Sequence, residues 1–158
     1  MRPLYIFDLD GTLANAEHRI HHIDGRTKDW PAFFAACVND APIASGIATM
    51  MALQRGGAEC WIWTGRSDVV RKETNAWLAR HGVMSHTVWR RFGRSPERFL
   101  MRRAGDFRPD HVIKYEWLAD LEPPERNRLT AVFEDRSRVV QMWREAGVPC
   151  FQVAPGEF

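Results

Sequence analysis

No stretch of the 158-residue sequence approaches the roughly 18 consecutive apolar residues that a membrane-spanning helix requires, so no membrane partner is expected. Cysteine is scarce and odd in number. Cys37, Cys60 and Cys150 are widely spaced among apolar neighbours, which argues against a disulfide framework or a metal knot and for buried free thiols. His18, His21 and His22 lack a fourth ligand at useful spacing, so a surface or lid position is expected for them rather than a zinc site. There is no internal repeat or low-complexity tract, and no GxxxxGK[ST] phosphate loop through which ATP would be used. The opening "MRPL" leads directly into the apolar "YIF" without the basic flank, apolar stretch and cleavage site of a signal peptide, which makes the cytoplasm the expected compartment. A net charge of +2 is too small to mark the chain as a general polyanion binder.

What is present fits one domain over residues 1–158, with 45% hydrophobic and 27% charged residues, values that allow a core able to stand alone. Short apolar runs rich in β-branched and aromatic residues alternate with longer stretches of helical periodicity. "LYIFDL", "AECWIWTG", "RLTAVFED" and "PCFQVA" read as strands, with "HTVWRR" as a further candidate. "SGIATMMALQRGG", "SDVVRKETNAWLARHG", "PDHVIKYEWLADL" and "SRVVQMWREAG" read as helices. This order predicts the α/β class, a parallel sheet flanked by helices with ligands gathered at the carboxyl ends of its strands.

The polar residues cluster at those ends. The first strand stops at Asp8 and Asp10, the second at Thr64, Gly65 and Arg66, and a later one at Glu134, Asp135 and Arg136. Four carboxylates crowded into one crevice repel one another unless a proton or a cation intervenes. Magnesium is the natural counterweight, because it takes oxygen ligands from one or two carboxylates, waters and a substrate phosphate. Thr64 and the Gly65 backbone can donate to phosphate oxygens and Lys114 can supply positive charge, so the set suits phosphoryl transfer.

A second feature is the segment from Arg90 to Arg108, "RRFGRSPERFLMRRAGDFR", with seven arginines against one glutamate and one aspartate. Such asymmetry suggests a polyanionic partner met by Arg102, Arg103 or Arg108, with a solvated face as the plain alternative.

"DLDGTL" (Asp8 to Leu13), "WTGR" (Trp63 to Arg66), Lys114 and "EDR" (Glu134 to Arg136) resemble, in order, the four motifs of the haloacid dehalogenase (HAD) superfamily of phosphatases. The Asp10-to-Arg19 spacing, "RRAGDFRPDHVIK" and the ending "FEDRSRVVQMWREAGVPCFQVAPGEF" narrow the resemblance to the 3'-phosphatase domain of phage-type polynucleotide kinase-phosphatases. The resemblance implies a HAD-like, Rossmann-like sheet with at most a small cap, here a lid over about residues 15–44 carrying "DWPAFFAACV". It implies Asp8 as the nucleophile that forms an aspartyl-phosphate, and Asp10 as the acid/base that protonates the leaving oxygen and then activates water. Asp8, the Asp10 carbonyl and Asp135 would hold magnesium. Glu134 stands where a second aspartate is expected and would act through its longer side chain or a water. Thr64 and Gly65 would bind the phosphoryl group, Lys114 would steady Asp8, and Arg19, Arg66 and Asp110 would shape the substrate side.

With no phosphate loop, the kinase activity of two-domain relatives does not carry over, and the expected unit is a phosphatase standing alone. The resemblance implies a 3'-phosphate on a nucleic-acid end or nucleotide as its substrate. The alternatives are a 5'-nucleotidase or small-nucleotide phosphatase and, from another class, a non-catalytic module that binds nucleic-acid ends. The tryptophans Trp61, Trp63, Trp77, Trp117 and Trp143 read as core, while Trp30 or Phe33 on the lid could stack a base.

Overall fold

The computed structural model describes residues 1–83 and 98–156. In chain order its elements are β1 (Leu4–Phe7), β2 (Ala14–Asn15), α1 (Trp30–Ala35), β3 (Ala41–Pro42), α2 (Ala44–Arg55), β4 (Glu59–Ser67) and α3 (Arg71–Arg80). They continue with β5 (Phe99–Arg102), α4 (Asp110–Ala119), α5 (Pro123–Arg128), β6 (Leu129–Arg136), α6 (Ser137–Glu145) and β7 (Cys150–Gly156). Among the described residues five strands form one parallel sheet in the order β5-β4-β1-β6-β7, and β2 pairs with β3 in a separate antiparallel ribbon.

Strand alternation divides the apolar residues between two layers. On β1, Leu4 and Ile6 join Trp61 and Trp63 of β4 and the Val139, Val140 and Trp143 face of α6, whereas Phe7 turns the other way with Ile62 towards Met50, Trp77 and Leu78 of α2 and α3. A sheet covered on both faces by helices needs such two-sided apolar strands, which is why "LYIF" and "WIW" read as runs. Trp61, Trp63, Trp77 and Trp143 are buried, and Trp117 packs against the same layer. The three cysteines are free thiols, two buried and Cys60 half-buried. No helix among the described residues is long and apolar enough to cross a membrane.

Two local features depart from the sequence reading. The strand beside β4 is Phe99–Arg102, within the arginine-rich connection, because Phe99 and Met101 alternate inward and Leu100 and Arg102 lie half-buried. The candidate strand "HTVWRR" lies outside the described residues, as do Arg90, Arg91 and Arg94. The short helix α5 begins on two prolines, whose fixed φ suits a first turn, and carries no buried residue, so it shows no apolar period. Helix α1, in the segment read as a lid, does form: Asp29 caps it by accepting from the Ala32 N–H at 2.9 Å, and Pro31 occupies its first turn.

Candidate active site

The parallel register brings the ends of β1, β4 and β6 to one edge. The Asp8 N–H donates to the Phe133 carbonyl at 2.9 Å, extending the β1–β6 ladder by one residue and fixing where the Asp8 side chain leaves the sheet. Gly11 then turns the chain at φ 84°, and a Cβ there would run into the Asp135 carboxylate, so this turn and this carboxylate require glycine. Oxygens of Asp8, Glu134 and Asp135 lie within 4.8 Å of one another, all three residues buried.

Helix α4 delivers the balancing cation. Asp110 and Lys114, four residues apart, share a face, and the buried Lys114 ammonium donates to Asp8 Oδ1 at 2.5 Å and to Glu134 Oε2 at 2.7 Å. One ammonium cannot balance three carboxylates. Burial, then Glu134, push the Asp8 carboxyl up to about 8 against the pull of Lys114, and burial is the first cause that raises Glu134 to about 7 and Asp135 to about 6. Lys114 is held charged: burial opposes its charge, and Asp8 and Glu134 more than restore it. Glu134 Oε1 also accepts from the backbone N–H groups of Asp135 (3.2 Å) and Arg136 (3.4 Å), so its longer side chain folds back on its own strand end.

Asp10 belongs to a different cluster. Its carboxylate accepts from Arg19 at 2.7 Å and from Arg66, and both guanidinium groups are buried. Burial alone would raise its pKa, but Arg66 and then Arg19 bring it down to about 2. A second carboxylate, Asp40, completes the set: it accepts from Arg19 Nε (2.7 Å) and Nη2 (2.8 Å) and from Arg66 Nη2 (2.6 Å), and it contacts His18 Nε2 at 2.9 Å. Trp77 Nε1 donates to the Asp40 carbonyl at 2.8 Å, anchoring it to α3. Sequence reasoning missed Asp40, whose neighbours "NDAP" carry no recognisable motif; an unexplained pair of buried arginines is the one signal that could have prompted a search for it. His18 therefore meets Asp40, and the His21 and His22 rings lie against each other at a tilt, their centroids 4.0 Å apart.

Thr64 is fully buried, and its Oγ1 accepts from the Arg66 N–H at 3.1 Å. A Cβ on Gly65 would collide with the Asp110 carboxylate, so glycine lets β4 and α4 approach here. Asp110 accepts from Arg102 Nη2 at 2.5 Å and Arg136 Nη1 at 3.3 Å. Although burial opposes it, Lys114 followed by Arg136 and Arg102 hold the Asp110 carboxyl below its ordinary value.

Arg102 and Arg108, expected from the sequence to meet a polyanion, also make contacts within the protein that the sequence does not show. Arg102 directs its donors to the carbonyls of Gly65 (2.8 Å), Asp106 (3.0 Å) and Arg108 (2.5 Å) as well as to Asp110. Arg108 pairs with Asp106 at 2.8 Å and with Glu116 of α4 at 2.5 Å. Both arginines brace the chain around the site, and both line its cavity together with Arg103. That cavity, about 300 Å³, has Asp8, Asp10, Thr64, Gly65, Arg66 and Asp110 in its wall and Trp30, Phe33, Phe34 and Phe107 around them.

Residues 2–158 match the family described as the polynucleotide kinase PNKP phosphatase domain. The chain is 28% identical to a chain of the Pnkp1/Rnl/Hen1 RNA repair complex, with a TM-score of 0.74 over 99% of this chain and 44% of that one. A second structure of the Pnkp1/Rnl/Hen1 complex gives 27% identity and a TM-score of 0.75 over 99% of this chain and 48% of that one. The chain thus spans less than half the length of these relatives. The Class C acid phosphatase from Bacillus anthracis, 13% identical with a TM-score of 0.62 over 98% of this chain and 66% of its own, shares the fold. With the family match running from the second residue to the last, this chain belongs to the PNKP phosphatase-domain family and is a phosphoric monoester hydrolase of the haloacid dehalogenase type.

Proposed function

We propose that the chain removes a terminal 3'-phosphate from nucleic-acid ends, or from nucleotides, in a magnesium-dependent reaction through a phosphoryl-Asp8 intermediate. The observation that carries this reading is the contact of Lys114 with Asp8 at the floor of a cavity that continues past Thr64 and Gly65. In this role Asp8 attacks phosphorus, the bond to the leaving 3'-oxygen breaks, and Asp10 gives that oxygen its proton. Water then attacks the same phosphorus, Asp10 takes its proton back, and inorganic phosphate leaves with Asp8 restored. Arg66 and Arg19 hold the Asp10 carboxyl well below its ordinary value in the substrate-free chain, so in this role it takes a proton from the substrate's phosphate monoanion or from solvent before giving it to the leaving oxygen.

The residues fit a divalent cation. Asp135 Oδ1 is buried without a hydrogen-bond partner among the described residues, in the same cluster as the oxygens of Asp8 and Glu134. Asp8 and Asp135 would hold the ion, with the Asp10 carbonyl; Glu134, already engaged by Lys114, would act behind them. When bound, magnesium neutralises these carboxylates and screens the phosphoryl oxygens. Thr64 and Gly65 orient the phosphoryl group, and Lys114 steadies the attacking carboxylate.

A nucleic-acid end is favoured by the membership in a polynucleotide-processing family and by the Pnkp1 relative's place in an RNA repair complex. The test is phosphate release, with magnesium and with chelator, from matched oligonucleotides phosphorylated at the 3' or the 5' end and from the two mononucleotides. The reading expects release from the 3' end in magnesium. Preference for 5'-mononucleotides would overturn it in favour of a small-nucleotide phosphatase.

A further inference from the structure

Phe107 is 86% exposed and lies on the rim of the cavity that holds Asp8. A single exposed aromatic is ordinary on a protein surface; its place beside Asp8 and Thr64 in one cavity, on a braced backbone, sets this one apart. Its backbone is held from both sides. Arg102 Nη1 donates to the carbonyls of the two flanking residues, Asp106 (3.0 Å) and Arg108 (2.5 Å). The same guanidinium donates to Gly65 O at 2.8 Å and to Asp110 Oδ1 at 2.5 Å, inside the site. Asp106 is fixed in turn by Arg108, which reaches on to Glu116 of α4. One buried-side bracket therefore ties the position of Phe107 to the catalytic floor. Trp30 and Phe34 of α1, stacked at 5.9 Å, line the same cavity.

We propose that Phe107 is the stacking platform for the nucleobase of the terminal, phosphate-bearing nucleotide, with Arg102 as the residue that holds the platform in register with the phosphoryl site. This rests on the function proposed above and adds to it what the enzyme recognises beyond phosphate. The occupant is a base because the apolar ring shares one continuous cavity with the phosphate end, and because every nucleobase offers a π-face to an exposed ring regardless of sequence. It also gives the arginine-rich loop a purpose other than direct phosphate contact: two of its guanidinium groups shape the loop that displays the ring. A loop fixed in advance loses less freedom on binding than a free one, which strengthens a stacking contact.

The experiment compares two 3'-phosphorylated oligonucleotides that differ only in whether the terminal nucleotide carries its base or is abasic, with the wild-type chain and with Phe107→Ala, Phe107→Leu and Phe107→Trp. The wild type should show a KM about tenfold or more higher for the abasic end, and this ratio should fall towards one in Phe107→Ala. Phe107→Leu should keep only part of the ratio and Phe107→Trp should preserve it. Arg102→Lys, which cannot bridge two carbonyls and a carboxylate in the same fork, should also lower the ratio. An equal rise in KM on both oligonucleotides, or no change on either, would overturn the platform and leave the ring to a protein contact. Failure of the 3' assignment would show separately, as preference for the 5' end by the wild type, and the base-to-abasic ratio would then be read on that end.

Discussion

Lys114 Nζ lies between two carboxylates, 2.5 Å from Asp8 Oδ1 and 2.7 Å from Glu134 Oε2, and is itself buried. Removing one partner of a buried ion pair leaves uncompensated charge, at a cost of about 3–5 kcal/mol where no proton can relieve it. Lys114→Ala should therefore lower activity by about a hundredfold or more and lower the melting temperature in chelator. Because Asp8 and Glu134 can take up protons, the stability loss should be smaller at pH 5.5 than at pH 8. Activity within tenfold of wild type would remove Lys114 from the mechanism.

The metal-free chain should lose stability as pH rises. Asp8, Glu134 and Asp135 carry folded pKa values of about 8, 7 and 6, above their ordinary values of 3.8, 4.5 and 3.8. Between those limits the folded state binds more protons than the unfolded one, so unfolding becomes easier with increasing pH. In chelator the melting temperature should fall from pH 5.5 to pH 8, and magnesium should raise it more at pH 8 than at pH 5.5. A magnesium shift of equal size at both values would contradict a cation site built from these carboxylates.

Asp40 has no place at the phosphate, yet it orders both arginines that hold Asp10. Asp40→Asn keeps the shape but withdraws one charge from a set of two carboxylates and two guanidinium groups. It should lower kcat more than it raises KM, because Arg19 and Arg66 then close on Asp10 alone. Equal loss in stability with unchanged kcat would make Asp40 a purely structural residue.

Asp10→Asn should separate the chemical steps. An amide cannot deliver a proton to a nucleoside oxygen, but a nitrophenyl leaving group needs little help. The variant should lose much more activity on a 3'-phosphorylated nucleotide than on nitrophenyl phosphate. Equal loss on both would count against a proton-transfer role.

The parts of the site carried on regular elements were readable from the residues. Two-sided apolar runs mark β1, β4 and β6, and a strand ending in charge marks Asp8, Glu134 and Asp135, whereas Asp110 was reached only through the family resemblance. Asp40 was not readable, since it is joined to Arg19 and Arg66 only by tertiary folding of the segment between α1 and β3. Nor could the sequence show which way a guanidinium turns: Arg102 belongs to a charged run, but its partners are carbonyls of its own loop, created when β5 docks on β4. Strand β5 escaped notice because its four residues sit among arginines, where charge density outweighs a short alternation.

The central claim is that Asp8 is the nucleophile. Steady-state phosphate release from a 3'-phosphorylated oligonucleotide in magnesium, measured for the wild type and Asp8→Asn side by side, tests it most directly. The account predicts release by the wild type and none above background by Asp8→Asn, with the variant at least as heat-stable as the wild type in chelator because one repelling carboxylate is gone. Release by a folded Asp8→Asn at a rate close to wild type would contradict it.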